Sequence, residues 1–340
     1  MKIGMFAGKF LPLHRGHSYV TIQASNMCDR LFLGLSHSEL RDRSLCAKGK
    51  MAYVPANIRR EWIQMLVRDM PNVEVFDFDD EDDETYDSWH EGATKIRQII
   101  GKPIDYVFGS EPSYADIFRK LYPEAEYVRI DDGRKFFPMS STRIREEGVF
   151  KHWGMLPDVV RQYFVKKICV VGTESCGKST LVRNLAKTYD TAYVEEFGRI
   201  ICEEVNGIPL APRYPDIAAG HRLLVYERTK IANRLLFIDS DAMVTNYYLN
   251  LYTNVPDKGS ALYKEFAYLQ NYDLYIYLTP DVEWIDDGLR DHGTDKQRRE
   301  NDVVLRELLD SNNIKYTMVG GSYQDRYLQS LELVNKLMEE

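Results

Sequence analysis

Short apolar runs alternate with stretches of helical spacing through the first half of the chain. Residues 2–7, 30–35, 73–78, 104–108 and 127–130 read as strands, and residues 17–27, 57–70, 89–100 and 114–121 as helices. In 57–70, Ile58, Trp62, Met65 and Leu66 recur at the three- and four-residue steps of one helix face. Such alternation predicts an α/β fold with a parallel sheet covered by helices, and ligands beyond the carboxyl ends of its strands. Residues 146–167 break the rhythm. They are aromatic and mixed (Phe150, Trp153, Pro157, Tyr163, Phe164) and predict a short connector helix with a boundary near Val165. The pattern then restarts, with strands over 168–171, 192–194, 235–238, 274–278 and 316–319. Two domains, 1–165 and 166–340, follow, both with parallel sheets.

Composition narrows the field. The 340 residues are 44% hydrophobic and 28% charged, which suits two globular cores. The net charge of -8, from 44 Lys+Arg and 52 Asp+Glu, argues against nucleic-acid binding. The five cysteines are odd in number and lack C-x-x-C spacing, so neither a disulfide framework nor a zinc site is expected. No leader or membrane-length apolar run is evident, which makes the cytoplasm the expected compartment. The acidic run 77–87 is expected to be a solvated loop.

In the second half, Gly172-Thr173-Glu174-Ser175-Cys176-Gly177-Lys178-Ser179 fits G-x-x-x-x-G-K-[ST]. It follows an apolar strand and opens a helix at Thr180, the context that gives the motif meaning. The glycines let backbone N–H groups face phosphate oxygens. Lys178 can reach the β- and γ-phosphates, and Ser179 can ligate Mg²⁺. Asp239, closing an apolar strand, is the second expected metal ligand. Glu195 and Glu196 end an earlier strand and are candidates for the base that takes the acceptor's proton, with Asp239 and Asp241 as alternatives. No D-x-x-G follows the loop and N-K-x-D is absent, so guanine-specific switching is disfavoured. A cationic segment containing Arg290, Lys296, Arg298 and Arg299 suits a lid that places arginines on the transferring phosphoryl group.

In the first half, Gly8-Lys9-Phe10-Leu11-Pro12-Leu13-His14-Arg15-Gly16-His17 ends the first strand, and Met139-Ser140-Ser141-Thr142-Arg143-Ile144-Arg145 opens a later helix. Gly8 and Gly16 allow close phosphate approach. His14 and His17, three apart at a helix start, can point the same way as donors to the α- and β-phosphates. Ser140, Ser141 and Thr142 offer hydroxyls and N–H groups, and Arg143 or Arg145 adds charge. A metal pair at His14 and His17 would need a third ligand that the spacing does not supply.

Together, G-x-F-x-P-x-H-x-G-H and [IM]-S-S-T-x-I-R resemble the nicotinamide-nucleotide adenylyltransferases of the nucleotidylyltransferase superfamily. With the phosphate-loop module and its VEEFGR and WIDDGLRDHG segments, the chain resembles the NadR family over nearly its whole length. Those proteins are bifunctional nicotinamide-mononucleotide adenylyltransferases and ribosylnicotinamide kinases. Met139 stands where isoleucine is usual. The chain starts at the catalytic strand, without the helix-turn-helix that precedes it in some members, so no repressor role is expected.

The resemblance implies that the C-terminal domain phosphorylates nicotinamide riboside. The N-terminal domain then joins the mononucleotide to AMP from a second ATP, giving NAD and pyrophosphate, with Mg²⁺ at both sites. Trp89 is the candidate nicotinamide-stacking residue of the first site, and Trp284 or Tyr247 that of the second. Gly109 and Ser110 are candidate adenosine contacts. Two alternatives remain open: a fused transferase and kinase with another acceptor, or an NAD- or ATP-sensing regulator with weak turnover. A homo-oligomer is compatible with the sequence.

Overall fold

The computed structural model describes residues 1–81, 83, 85–111, 114–253, 260–281 and 295–339. The chain divides into two compact units, Met1–Phe164 and Val165–Glu340. Each is a parallel five-stranded sheet with helices between successive strands.

In the first unit β1 (Ile3–Gly8), β2 (Arg30–His37), β3 (Val73–Asp79), β4 (Tyr106–Gly109) and β5 (Glu126–Arg129) lie in the order β3-β2-β1-β4-β5. The order reverses at β1, which pairs with β2 on one side and β4 on the other. A crevice therefore opens beyond the carboxyl ends of β1 and β4, at Gly8 and Gly109. Met5, Phe32, Phe76, Ile96 and Val107 form part of the core beneath it.

Helix Glu39–Ala47 was not anticipated from the apolar pattern. Its buried positions are Asp42 and Cys46, while Leu40 is exposed, so no apolar stripe marks it. Ser38 caps it by accepting from the Arg41 N–H at 3.2 Å. The acidic run is not simply a solvated loop. Asp77–Asp79 complete β3, and Asp80 is half-buried, accepting from the Ser36 hydroxyl at 2.7 Å.

The connector is likewise not a linker. Its residues form a short 3₁₀ turn, Trp153–Met155, and the helix Asp158–Phe164. Tyr163 and Phe164 pack on Trp62, at ring-centroid distances of 5.6 and 6.1 Å. The aromatic residues that interrupt the strand rhythm thus belong to the first unit.

In the second unit β6 (Lys166–Val171), β7 (Tyr193–Val194), β8 (Leu235–Asp239), β9 (Leu274–Leu278) and β10 (Thr317–Val319) lie in the order β10-β9-β6-β8-β7. Ile168, Val170, Phe237, Ile276 and Leu278 are fully buried. That explains why these strands read as continuous apolar runs rather than alternations. β6 is central, paired with β8 and β9, so the phosphate loop leaves the middle of the sheet beside the end of β8.

Candidate active sites

The first site begins at His14, the N-cap of helix Arg15–Met27. Its Nδ1 accepts the Gly16 N–H at 3.1 Å, and the His17 Nδ1 accepts the His14 N–H at 3.3 Å. This is a capping box built from two imidazoles, whose rings stack at 3.8 Å. Each Nδ1 faces a backbone donor, so in the neutral ring the proton sits on Nε2. Burial holds His14 down to about 3, with the nearby Arg134 charge adding to it. Burial, then His14 and Arg134, keep His17 well below the ordinary histidine range. The pair is therefore neutral, with two Nε2–H donors. A Cβ at residue 16 would stand 2.9 Å from the His14 ring, so Gly16 makes room for the cap.

Both imidazoles line a cavity of about 450 Å³, with Gly8, Lys9, Gly16, Trp89, Gly109, Ser110, Ser140, Ser141, Thr142 and Arg145. Trp89 packs beside Tyr114 and Phe118, at 5.3 and 5.7 Å between ring centroids.

The hydroxyl segment also laces the loop together. Ser140 accepts from the Arg143 N–H at 3.1 Å, and Ser141 donates to the Pro12 carbonyl at 3.0 Å. Arg145 donates to the Leu11 carbonyl at 2.7 Å and to Thr142 Oγ1 at 3.0 Å. It is thus as much a brace for the loop as a charge facing the cavity.

Two expected contacts are not brought to the cavity. Arg143 is exposed and pairs with Glu147 at 2.9 Å. Phe10 is buried against Phe6 and His17, supporting the imidazole from behind.

Lys9, an expected contact, stands between Asp42 at 3.1 Å and Asp80 at 2.9 Å. Those two carboxylates, Arg59 and Arg134 were missed by sequence reasoning. The fully buried Arg59 joins the Lys9 carbonyl, at 2.7 Å, to Asp42, at 2.5 Å. Arg134 lines the cavity and forms an ion pair with Glu111. The only signal for it was a basic turn, Gly133-Arg134-Lys135, just before the Ser-Ser-Thr segment.

The second site is the turn between β6 and helix Lys178–Thr188. Gly172, Ser175 and Gly177 adopt φ of 150°, 57° and 86°. A Cβ at residue 172 would lie 2.7 Å from the Leu278 carbonyl oxygen, so that glycine is needed for both conformation and space.

Thr173 and Cys176 are buried in the loop. The Lys178 ammonium donates to the Gly172 and Thr173 carbonyls, at 3.0 and 2.9 Å. Ser179 Oγ donates to Asp239 Oδ2 at 2.5 Å. Residues Glu174 to Thr180, with Glu196, Arg199 and Tyr248, line a chamber of about 300 Å³.

The structure separates the candidate bases. Glu195 is exposed and pairs with Arg183 at 2.8 Å. Glu196 lines the chamber, and burial raises its pKa against the opposing pull of Lys178. Asp241 caps helix Ala242–Tyr252 through the Val244 N–H at 2.9 Å and accepts the Tyr275 hydroxyl at 2.9 Å.

Tyr247 is buried in the core, 2% exposed. Its neighbour Tyr248 is the one that lines the chamber and an adjoining slot of about 100 Å³. Arg326, not anticipated, braces the loop from behind. It donates to the carbonyls of Cys176, Thr279 and Gly321. Trp284 and Arg290 lie outside the described residues.

Comparison with known proteins gives the family of each unit. Residues 5–190 match the cytidylyltransferase-like family, and residues 167–326 match the AAA domain. The trifunctional NAD biosynthesis/regulator protein NadR of Escherichia coli (strain K12) is 32% identical over 349 residues. The match covers 99% of this chain and 84% of that protein. The chain belongs to the NadR family. The NadR of Salmonella typhimurium is likewise 32% identical, over the same shares of each chain.

Among solved structures, a NadR protein in complex with NR superposes with a TM-score of 0.80 at 25% identity. It covers all of this chain and 96% of its own. A NadR structure with NAD and AMP-PNP, at 24% identity and a TM-score of 0.78, shares the fold. No described helix is long and apolar enough to cross a membrane.

Proposed function

We propose that the chain makes NAD from nicotinamide riboside in two ATP-dependent steps, one in each unit. In the second unit the 5′-hydroxyl oxygen of the riboside attacks the γ-phosphorus of ATP. The bond to the β–γ bridging oxygen breaks, and ADP leaves. Glu196 takes the hydroxyl proton, because it is the strand-end glutamate that faces the phosphate loop. Lys178 leaves its own loop carbonyls to hold the β- and γ-phosphates. The Ser179 hydroxyl and Asp239 carboxylate form an all-oxygen pair that fits a hard divalent cation such as Mg²⁺. When bound, that cation neutralises phosphate charge.

In the first unit a phosphate oxygen of nicotinamide mononucleotide attacks the α-phosphorus of a second ATP. The bond to the α–β bridging oxygen breaks, and pyrophosphate leaves. No protein nucleophile is needed, and catalysis is positioning and charge stabilisation. The Nε2–H groups of His14 and His17 donate to the phosphates, with Ser140, Ser141, Thr142 and Arg145 around them. Trp89 serves as the nicotinamide wall, and Gly109 and Ser110 contact the adenosine.

The observation that carries this reading is the joint presence, in one chain, of a neutral imidazole donor pair and a phosphate loop with its Ser179–Asp239 pair. The test is a coupled assay of NAD formation from nicotinamide riboside and ATP. Formation of two products, ADP and pyrophosphate, with each NAD is expected. NAD synthesis from the mononucleotide alone would overturn the kinase half.

A further inference from the structure

The first unit carries a buried charge pair that folding alone does not explain. Asp42 and Arg59 are both fully buried, and their side chains meet. Such a pair commonly stabilises a fold no better than well-packed apolar side chains of similar size. Yet the helix Glu39–Ala47 turns Asp42 inward, where an apolar residue would serve packing. The pair leads to one residue of the cavity. Arg59 donates to the Lys9 carbonyl at 2.7 Å, and the Asp42 it also holds stands 3.1 Å from the Lys9 ammonium. Lys9 is thereby fixed at its backbone and at its charged end.

Lys9 lines the cavity. An ammonium has three N–H donors. Among the described residues two are directed to Asp42 and Asp80, which leaves one for a ligand. The surroundings say which ligand that is. Asp80 lies 3.6 Å from Arg41, whose guanidinium also donates to the Asp83 carbonyl at 2.9 Å. The Asp83 carboxylate accepts from the Thr85 and Ser88 hydroxyls at the start of the helix Tyr86–Ile100, one residue before Trp89. Lys9 therefore belongs to the side of the cavity that carries the nicotinamide wall. The anionic group that a mononucleotide brings there is its phosphate, which is also the attacking group.

We propose that the Arg59–Asp42 pair positions Lys9 to bind the phosphate of the acceptor mononucleotide. Lys9 makes the contact, and Asp42 and Arg59 are positioning residues. Holding the long side chain in place beforehand removes much of the entropy cost of ordering it on binding. This rests on the adenylyl-transfer reading above.

The test measures KM for nicotinamide mononucleotide and for ATP separately in the full-length protein. The variants are Lys9→Met, Asp42→Asn, the two combined, and the apolar pair Asp42→Leu with Arg59→Met. Lys9→Met should raise the KM for the mononucleotide by roughly 10–100-fold, with the KM for ATP within about twofold of wild type. Asp42→Asn should raise the mononucleotide KM by roughly tenfold. It should add nothing in the Lys9→Met background, because its effect passes through the lysine. The apolar pair should keep the wild-type Tm and riboside phosphorylation and still show the raised mononucleotide KM.

Equal rises in both KM values, or a rise confined to ATP, would overturn the proposal. So would losses that multiply when Lys9→Met and Asp42→Asn are combined, as independent damage to the fold would give. A lowered mononucleotide KM in Asp42→Asn would show that the carboxylate competes for Lys9, and overturns it too. If the apolar pair does not fold, Asp42→Asn and its combination with Lys9→Met decide alone. A wild-type protein that adenylylates another phosphate-bearing acceptor but not nicotinamide mononucleotide contradicts the nicotinamide reading alone. The same KM comparison is then made on that acceptor, where the same pattern is expected.

Discussion

The two phosphate sites solve one problem with different materials. In the first unit the proposed donors are side chains, the Nε2–H groups of two stacked imidazoles fixed by a capping box. In the second they are chiefly backbone N–H groups, aimed by Gly172, Ser175 and Gly177 in positive-φ conformations. A side-chain cradle can be dismantled one residue at a time, at the cost of the caps and braces that the same residues supply. A backbone cradle has few side chains to remove, so its weak points are the one lysine and the glycines that shape the turn.

The largest expected effect tests that contrast at the lysine. Lys178→Ala should lower riboside phosphorylation by roughly 10³-fold or more, while adenylyl transfer to supplied mononucleotide stays near wild type. Separate assays of the two half-reactions decide it. A matching loss of adenylyl transfer in a folded protein would mean that the sites are not independent.

Next comes His17→Ala, expected to reduce NAD formation from the mononucleotide by about 10²–10³-fold and to leave the kinase untouched. With riboside as substrate the variant should accumulate mononucleotide. Wild-type turnover would remove His17 from the cradle.

Arg134→Ala sharpens the comparison by asking how much of the first cradle is flexible charge. It should slow adenylyl transfer by roughly 10–100-fold, the scale of one charge-assisted contact. Because Arg134 pairs with Glu111, Glu111→Gln should have the opposite sign on ATP binding, lowering the KM by freeing the arginine. A rise in that KM instead would show that the pair holds the loop in place.

The smallest effect is in pH. Glu196 must be ionised to accept a proton, and burial raises its pKa above the ordinary glutamate value. Kinase kcat should therefore fall on acidification, approaching about tenfold per pH unit below that raised pKa. The fall should begin at higher pH than an exposed glutamate would give. Glu195→Gln should leave the profile where it is, since Glu195 is exposed and paired with Arg183. A profile that shifts with Glu195 would exchange the two assignments.

Much of this architecture was legible because its signals are local. A strand buried on both faces must read as an apolar run. A phosphate turn needs its glycines and lysine at set spacing. A helix start needs its cap beside it. All ten strands lie within about two residues of their expected positions for that reason. The helix Glu39–Ala47 escaped because what it buries is a charge network rather than an apolar stripe. The aromatic stretch from Trp153 to Phe164 read as a connector because its partner, Trp62, is far away in sequence.

By itself the sequence determined two α/β units, two phosphate-binding turns and the chemistry those turns can support. Only the tertiary structure decided which neighbours face the sites. It set Glu196 and Tyr248 against the phosphate loop, paired Glu195 with Arg183, buried Tyr247, turned Asp241 into a helix cap, moved Arg143 to the surface, brought Arg134 to the first cavity and placed the buried Arg59–Asp42 pair behind it. The physical reason is directional. Adjacent side chains point different ways, by about 100° on a helix and to opposite faces on a strand. Which way meets a cavity depends on segments that arrive from elsewhere in the chain.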